Sequence, residues 1–353
     1  MGFRPLLERW QSPNSVGVDI GSSHCKIVQL VRGREGPRLV ACGMVEAGMG
    51  ADEEGAIRRM RVFLKEHGVR IGKAAVNIAD PSLRIRRMDL PKMPDRDTKV
   101  AIRWNFREQV EVPLEKFVVG YTTIPEKGTE DRIPLMAYGV AAEAVARYQA
   151  RGRRLGFRVS AVEPSATALL AAFDHSIGWT EGERVALLDL GFTETLFLVM
   201  GDGVLLFARS LAGVSGERLL RMAGREGSIP PDQSRAALQS VIVGEAVPEG
   251  MEKVLEEFYT QMLVELQRSI DGFAALYRVE TGVQRLFLCG GGSQLPNLAA
   301  HLTKNLGVTT TLFDPFTKIS DRDGQMPAAV TQGSLYAVAV GLAIPRHKGK
   351  ESQ

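Results

Sequence analysis

Val16-Gly17-Val18-Asp19-Ile20-Gly21-Ser22-Ser23-His24-Cys25-Lys26-Ile27-Val28-Gln29-Leu30 reads as an apolar strand ending in Asp-x-Gly, a short polar turn and a returning strand, followed by a turn around Gly33. The plan recurs in Val185-Ala186-Leu187-Leu188-Asp189-Leu190-Gly191-Phe192-Thr193-Glu194-Thr195-Leu196-Phe197-Leu198-Val199, followed by Asp202-Gly203. Two related hairpins so far apart predict a duplicated α/β fold, each half placing one carboxylate and one flexible backbone at a turn. Asp-x-Gly is also an ordinary hairpin-turn sequence. The recurrence, rather than either copy, carries the prediction.

The chemistry of these turns suits a nucleotide triphosphate. Glycine lacks a Cβ, so Gly21 and Gly191 let the backbone turn sharply and bring successive N–H groups toward an anion. Asp19 and Asp189 are too negative to touch phosphate directly, and fit it through a hydrated Mg²⁺. Lys26, on the first returning strand, is a point charge for a phosphate. A third element, Arg285-Leu286-Phe287-Leu288-Cys289-Gly290-Gly291-Gly292-Ser293-Gln294-Leu295-Pro296-Asn297-Leu298, reads as a buried strand, a triple-glycine turn and a helix with Pro296 near its first turn. A ligand can lie flat against such a turn.

In this order the three elements resemble the actin-like ATPase superfamily, which includes actin, the sugar kinases and FtsA. The narrower resemblance is to the PilM family of type IV pilus assembly. It rests on Asp19-Ile20-Gly21-Ser22-Ser23 with Lys26, on Leu90-Pro91-Lys92-Met93-Pro94 leading into Ala101-Ile102-Arg103-Trp104, and on Val112-Pro113-Leu114-Glu115. Glu163-Pro164-Ser165-Ala166, the triple glycine and Asp314-Pro315-Phe316 extend it across nearly the whole chain, from Ser15 to Ile344.

The resemblance implies an actin-like, ribonuclease H-like duplicated fold of two domains with an interdomain nucleotide cleft and an FtsA-type inserted subdomain. It implies ATP with Mg, held by Asp19, Gly21, Ser22, Ser23, Lys26, Asp189, Gly191, Thr195, Gly216, Glu217, Gly290, Gly291 and Gly292, with Asp19 and Asp189 reaching the metal through water. Glu163 and Asp189 are the candidates for orienting an attacking water. The implied role is a scaffold of the inner-membrane platform, cytoplasmic and peripheral to the membrane. It would grip the cytoplasmic N-terminal tail of a PilN-like bitopic membrane protein at the junction of the first domain and the insert, with nucleotide-dependent domain closure. Other platform components are implied partners, and Trp104 is a candidate for lining the groove. An FtsA-like filament-forming ATPase, a homo-oligomer and a small-molecule kinase stay open as alternatives, as does membership of a type II secretion system.

Two departures bear on turnover. Phe192, Thr193 and Glu194 stand where active relatives carry small residues; turned inward they crowd the γ-phosphate, and turned outward they leave it room. Ser215, in Gly213-Val214-Ser215-Gly216-Glu217-Arg218, stands where a second glycine is usual. ATP binding with slow or absent hydrolysis is the expectation.

Composition sets the remaining bounds. A chain of 353 residues, 44% of them hydrophobic, is long enough for two main domains. A net charge of +3 makes no general case for nucleic acid, and Arg84, Arg86 and Arg87, like Arg151, Arg153 and Arg154, read as solvated faces. The three cysteines, Cys25, Cys42 and Cys289, lack Cys-x-x-Cys spacing and read as core residues of a reducing compartment. The histidines show no metal-ligand spacing, so no metal beyond Mg is expected. The opening residues are too few and too charged for a signal peptide. Phe3, Leu6, Leu7 and Trp10 share one helical face, broken by Pro5, and read as a disordered or partner-bound leader rather than a membrane anchor. Residues 335–342 read as a buried, alanine-rich helix rather than part of a membrane span.

The expected organisation is a leader over 1–14, a first domain over 15–160 with an insert at about 89–160, a second domain over 161–345 whose last helix returns to the first, and a polar tail over 346–353. Periodicity predicts helices over 53–67, 95–110, 141–152, from 163 through 172 and over 251–277, and strands over 73–78, 83–88, 117–124 and 134–140. Of Ile102, Trp104 and Phe106, two are expected in the core.

Overall fold

Apolar runs on both sides of the first Asp-x-Gly turn form the antiparallel strands β1 (Asn14–Ile20) and β2 (His24–Arg32). The computed structural model describes residues 14–33, 36–46, 53–69, 72–125, 131–211, 213–226, 229, 233–242, 247–248, 250–279, 282–321 and 332–344. The opening residues Phe3, Leu6, Leu7 and Trp10 and the polar tail lie outside the described residues. The chain continues through β3 (Pro37–Glu46), α1 (Glu53–Glu66), β4 (Lys73–Ile78), β5 (Arg84–Pro91), α2 (Asp95–Phe106), β6 (Phe117–Thr123), β7 (Arg132–Ala141), α3 (Ala142–Arg154), β8 (Arg158–Pro164) and α4 (Ser165–Ser176). Next come β9 (Val185–Leu190), β10 (Thr195–Gly201), β11 (Val204–Ser210), α5 (Gly216–Glu226), α6 (Ser234–Ile242) and α7 (Met251–Tyr277). The last described elements are β12 (Arg285–Cys289), α8 (Leu298–Leu306), β13 (Thr309–Leu312), β14 (Ser320–Asp321) and α9 (Ala337–Ala343).

The chain divides into two compact units. One runs through Gly178 and takes in Gly203–Leu206 and the chain from Pro315 on; the other comprises Trp179–Asp202 and Phe207–Asp314. The first unit thus reaches past the boundary expected near 160, because α4 packs against α9 within it. Its sheet has the order β14-β3-β2-β1-β4-β8, and the second has β11-β10-β9-β12-β13. Five strands of each follow one plan: an antiparallel hairpin at the centre, then two strands parallel to the hairpin's first.

Alternation along β1 and β2 feeds two layers of core. Val16, Val18 and Ile27 pack with Met60 and Leu64 of α1 and Tyr148 of α3. Val28 and Leu30 pack with Phe316, Tyr336 and Val340. Helix α9 is buried throughout and alanine-rich, and it lies against the strand at Gly17, where a Cβ would fall 2.0 Å from the Ala339 carbonyl oxygen. It begins two residues later than expected, after a 3₁₀ turn at Gly333–Tyr336.

The insert is a three-stranded antiparallel sheet, β5-β7-β6. Helix α2 covers one face, burying Ile102 and Phe106 among Met88, Leu90, Phe117 and Leu135. Trp104 is 56% exposed. The helix ends at Phe106 and tightens into a 3₁₀ turn, Arg107–Gln109, as the chain approaches Pro113, whose ring keeps Val112 out of helical geometry. In the second unit α7 buries Leu255, Phe258, Met262, Leu266 and Phe273 on one face, while Ile270 is half-buried.

Cys25 and Cys289 are buried and Cys42 is half-buried, so only two of the three are full core residues. Burial pushes the Cys25 thiol up to about 12, with Asp19 adding to the effect, and pushes Cys42 up to about 11. Three members of the basic clusters are engaged here: Arg151 and Arg154 pair with Glu53, tying α3 to α1, and Arg84 donates to the carbonyls of Gln109 and Leu83. Among the described residues no helix is long and apolar enough to cross a membrane.

Candidate functional site

In the first unit the parallel pairing of β1 with β4, and of β4 with β8, aligns three polar side chains in a row across apolar strands. Asp19 comes one residue after the Val18–Val76 pair, beside Asn77, and Asn77 pairs with Glu163. All three are at most 5% exposed. Asn77 Nδ2 donates to Asp19 Oδ1 at 2.8 Å, its Oδ1 accepts the Ile20 N–H at 2.7 Å, and Nδ2 also reaches Ser165 Oγ at 3.3 Å. Lys26 stands opposite Asp19 in the hairpin, with Nζ 3.1 Å from Oδ2. Each carboxylate oxygen of Asp19 therefore already has one protein donor, with lone pairs left for the waters of a cation. Lys26 neutralises Asp19 rather than extending alone toward a ligand. Ser22 and Ser23 are half-buried in the turn, and Ser23 Oγ lies 2.9 Å from His24 Nδ1.

Neither Asn77 nor Ser165 stood out in the sequence as a site residue. The signal was there for Asn77: one amide in the otherwise apolar run Ala74-Ala75-Val76-Asn77-Ile78. A buried amide needs partners, and which ones it finds depends on strand pairing.

In the second unit β9 is parallel to β12, with Asp189 opposite Cys289, so the Gly191 turn and the Gly290 turn lie at the same end of one sheet. Gly290 has φ +81°, and a Cβ there would fall 2.4 Å from Asp189 Oδ1 and 2.7 Å from the Leu190 carbonyl oxygen. Only glycine lets this turn close on the carboxylate. A Cβ on Gly291 would meet nothing within 4 Å, so that residue borders open space. Thr195 is fully buried and its hydroxyl has no hydrogen-bond partner. A bare backbone turn closing on a carboxylate, with open space at Gly291, fits a hydrated Mg²⁺ and phosphate.

Some expected contacts are used internally. The Gly191 N–H donates to the Glu194 carbonyl at 3.0 Å, and a Cβ on Gly191 would fall 2.4 Å from that oxygen. This glycine serves the closure of its own hairpin, and its N–H is not offered to an anion. Phe192 is half-buried against Gly216, with the Arg235 guanidinium 5.4 Å from its ring centroid, and Glu194 is exposed. The Glu217 N–H donates to the Phe192 carbonyl at 2.7 Å, which joins the Gly216–Glu217 turn to the hairpin. Ser215, in the place of the second glycine, caps α5: its Oγ accepts the Arg218 N–H at 3.2 Å. The triple-glycine segment passes first into a 3₁₀ turn, Gly291–Gln294, and α8 starts at Leu298, so Pro296 precedes the helix. The Tyr259 hydroxyl of α7 donates to the Pro296 carbonyl at 2.7 Å.

The family described as type IV pilus assembly protein PilM matches residues 17–347. The chain belongs to the PilM family. Its fold is the two-domain actin-like fold, in keeping with the repeated sheet order. A solved structure described as a PilM-PilN type IV pilus biogenesis complex is similar to this PilM-family chain with a TM-score of 0.80 at 21% identity, covering 93% of this chain and 97% of that one. The ethanolamine utilization protein EutJ from Carboxydothermus hydrogenoformans gives a TM-score of 0.55 at 14% identity, covering 98% and 94%. The comparison with curated proteins gives no match.

Proposed function

We propose that this PilM-family chain is an ATP-binding scaffold of the type IV pilus inner-membrane platform that captures the cytoplasmic tail of a PilN-like membrane protein. Family membership over residues 17–347 supports the pilus role. The observation that carries nucleotide binding is the Asp189 and Gly290 arrangement, in which a positive-φ glycine brings bare backbone onto a carboxylate at the end of the sheet.

In this reading Asp19 and Asp189 are the carboxylates that would reach a hydrated Mg²⁺, the Gly290–Gly292 backbone would support the nucleotide, and Lys26, 3.1 Å from Asp19, holds that carboxylate in place. Bound Mg²⁺ supplies the positive charge that lets carboxylates and phosphates share a site. Glu163 is buried beside Asn77, which suits a positioning role better than the activation of water and agrees with slow or absent turnover. The partner tail binds at the junction of the first sheet and the inserted subdomain, and the chain works at the cytoplasmic face of the membrane through that partner. Calorimetry with Mg·ATP tests the nucleotide half: Asp19→Ala combined with Asp189→Ala should abolish binding in a folded protein, and unchanged affinity overturns the assignment. Binding of a synthetic PilN-like tail peptide tests the partner half, and no binding to the intact chain overturns it.

A further inference from the structure

The inserted subdomain joins the first sheet through two passages of chain. Residues 79–83 lead from β4 into β5, and Ala141 leads from β7 into α3. These passages are tied to each other. Asp80 Oδ1 accepts the Ser82 N–H at 3.0 Å and the Ser82 hydroxyl at 2.6 Å. The same Ser82 oxygen accepts the Ala141 N–H at 3.2 Å. Asp80 Oδ2 takes Arg147 of α3 at 2.6 Å, and the next residue, Tyr148, donates its hydroxyl to the Ala79 carbonyl at 2.5 Å. Arg147 also reaches Glu143 at 3.4 Å.

The energetics of this cluster are uneven. The Asp80 side chain is only 9% exposed while Arg147 is 49% exposed. Burial alone would raise the Asp80 pKa, but its two bonds from Ser82 and the Arg147 charge outweigh that and hold it below the usual carboxylate range. The mostly buried Asp80 carboxylate fixes the Ser82 hydroxyl that accepts from Ala141 and pairs with Arg147 of α3, so together these bonds set the relative geometry of the two passages, whereas two unbonded passages would act as a hinge.

We infer that Asp80, Ser82 and Arg147 form a latch that fixes the angle of the inserted subdomain on the first sheet, and that capture of a partner tail at this junction requires the latch to be closed. The second clause rests on the proposed tail-binding role. Asp80, Ser82 and Arg147 are positioning residues here, acting through the geometry of the two passages.

The full chain is compared with Arg147→Ala, whose side chain is half-exposed and leaves no cavity, with Asp80→Asn, and with Arg147→Lys as the conservative change. Amide hydrogen exchange at 79–83 and at Ala141, affinity for a synthetic PilN-like tail peptide, and Mg·ATP affinity are read in parallel. Arg147→Ala and Asp80→Asn should speed exchange at the two passages and weaken the peptide about fivefold, a modest coupling, with Mg·ATP affinity unchanged and Arg147→Lys between them and wild type. Unchanged exchange in both variants overturns the latch. Faster exchange with undiminished peptide affinity overturns its link to capture. If the peptide does not bind wild type, the tail-binding role itself falls, and the exchange data still decide the latch.

Discussion

Both units end their central strand in Asp-x-Gly, yet different residues stand around the two carboxylates. Asp19 is flanked by Asn77 on the neighbouring strand and faced by Lys26 across the hairpin, so its charge is balanced inside the sheet. Asp189 has Cys289 and Leu196 at the corresponding positions and is closed upon instead by the Gly290 turn. The first half sets an amide and a lysine against its aspartate, whereas in the second those two positions are a cysteine and a leucine and a glycine turn closes on the carboxylate. Duplication has therefore preserved the turn and let its support diverge.

The contrast can be broken most decisively at the position facing each aspartate. Lys26→Met leaves a buried carboxylate without its cation and should cost about 3–5 kcal/mol, while Leu196→Met at the equivalent place should cost under about 1.5 kcal/mol. Urea unfolding compares the two, and similar losses would mean that the first half does not depend on charge balance. Gly290→Ala comes next. A Cβ forced against Asp189 and Leu190 at positive φ should cost about 1–3 kcal/mol and weaken Mg·ATP by more than about tenfold; a variant that keeps wild-type melting and calorimetry would show that the turn relaxes freely.

Thr195→Val separates stability from binding. Its buried hydroxyl has no partner, so the methyl should hold or raise stability by about 1 kcal/mol while weakening Mg·ATP. Lower stability with intact affinity would point to a structural role for the hydroxyl.

The smallest effect concerns one ion pair from each unit. Glu183, bonded by Arg285, and Asp80, bonded by Ser82 and Arg147, both titrate below the usual carboxylate range. A depressed folded pKa contributes stability above the ordinary unfolded value and loses it as pH falls through the folded value. Arg147→Ala and Arg285→Ala should each flatten the acid limb of the stability curve by less than about 1 kcal/mol, given the exposure of both arginines. Denaturation midpoints followed from neutral pH into the acid range read this directly.

Much of this was legible in the chain. The long helix from Met251 to Tyr277 and strand β4 fall where periodicity put them, because each has one dominant buried face or an unbroken apolar run. The burial of two residues among Ile102, Trp104 and Phe106 was read from type and spacing. Helix α2 ends at Phe106, short of the expected 110, because the chain tightens into the 3₁₀ turn Arg107–Gln109 and Val110 is extended.

What the sequence determined by itself is therefore what short-range geometry can dictate: the recurring strand–turn–strand, the glycine turn and the family to which they point. Which group satisfies each polar atom depends instead on how the chain packs. Lys26 and Asn77 converge on Asp19 because strand pairing brings together residues separated in the chain. Gly191 spends its N–H on its own hairpin, and Ser82 bridges two passages far apart in sequence. A buried donor or acceptor must find a partner, and the choice among candidates is made by register and packing.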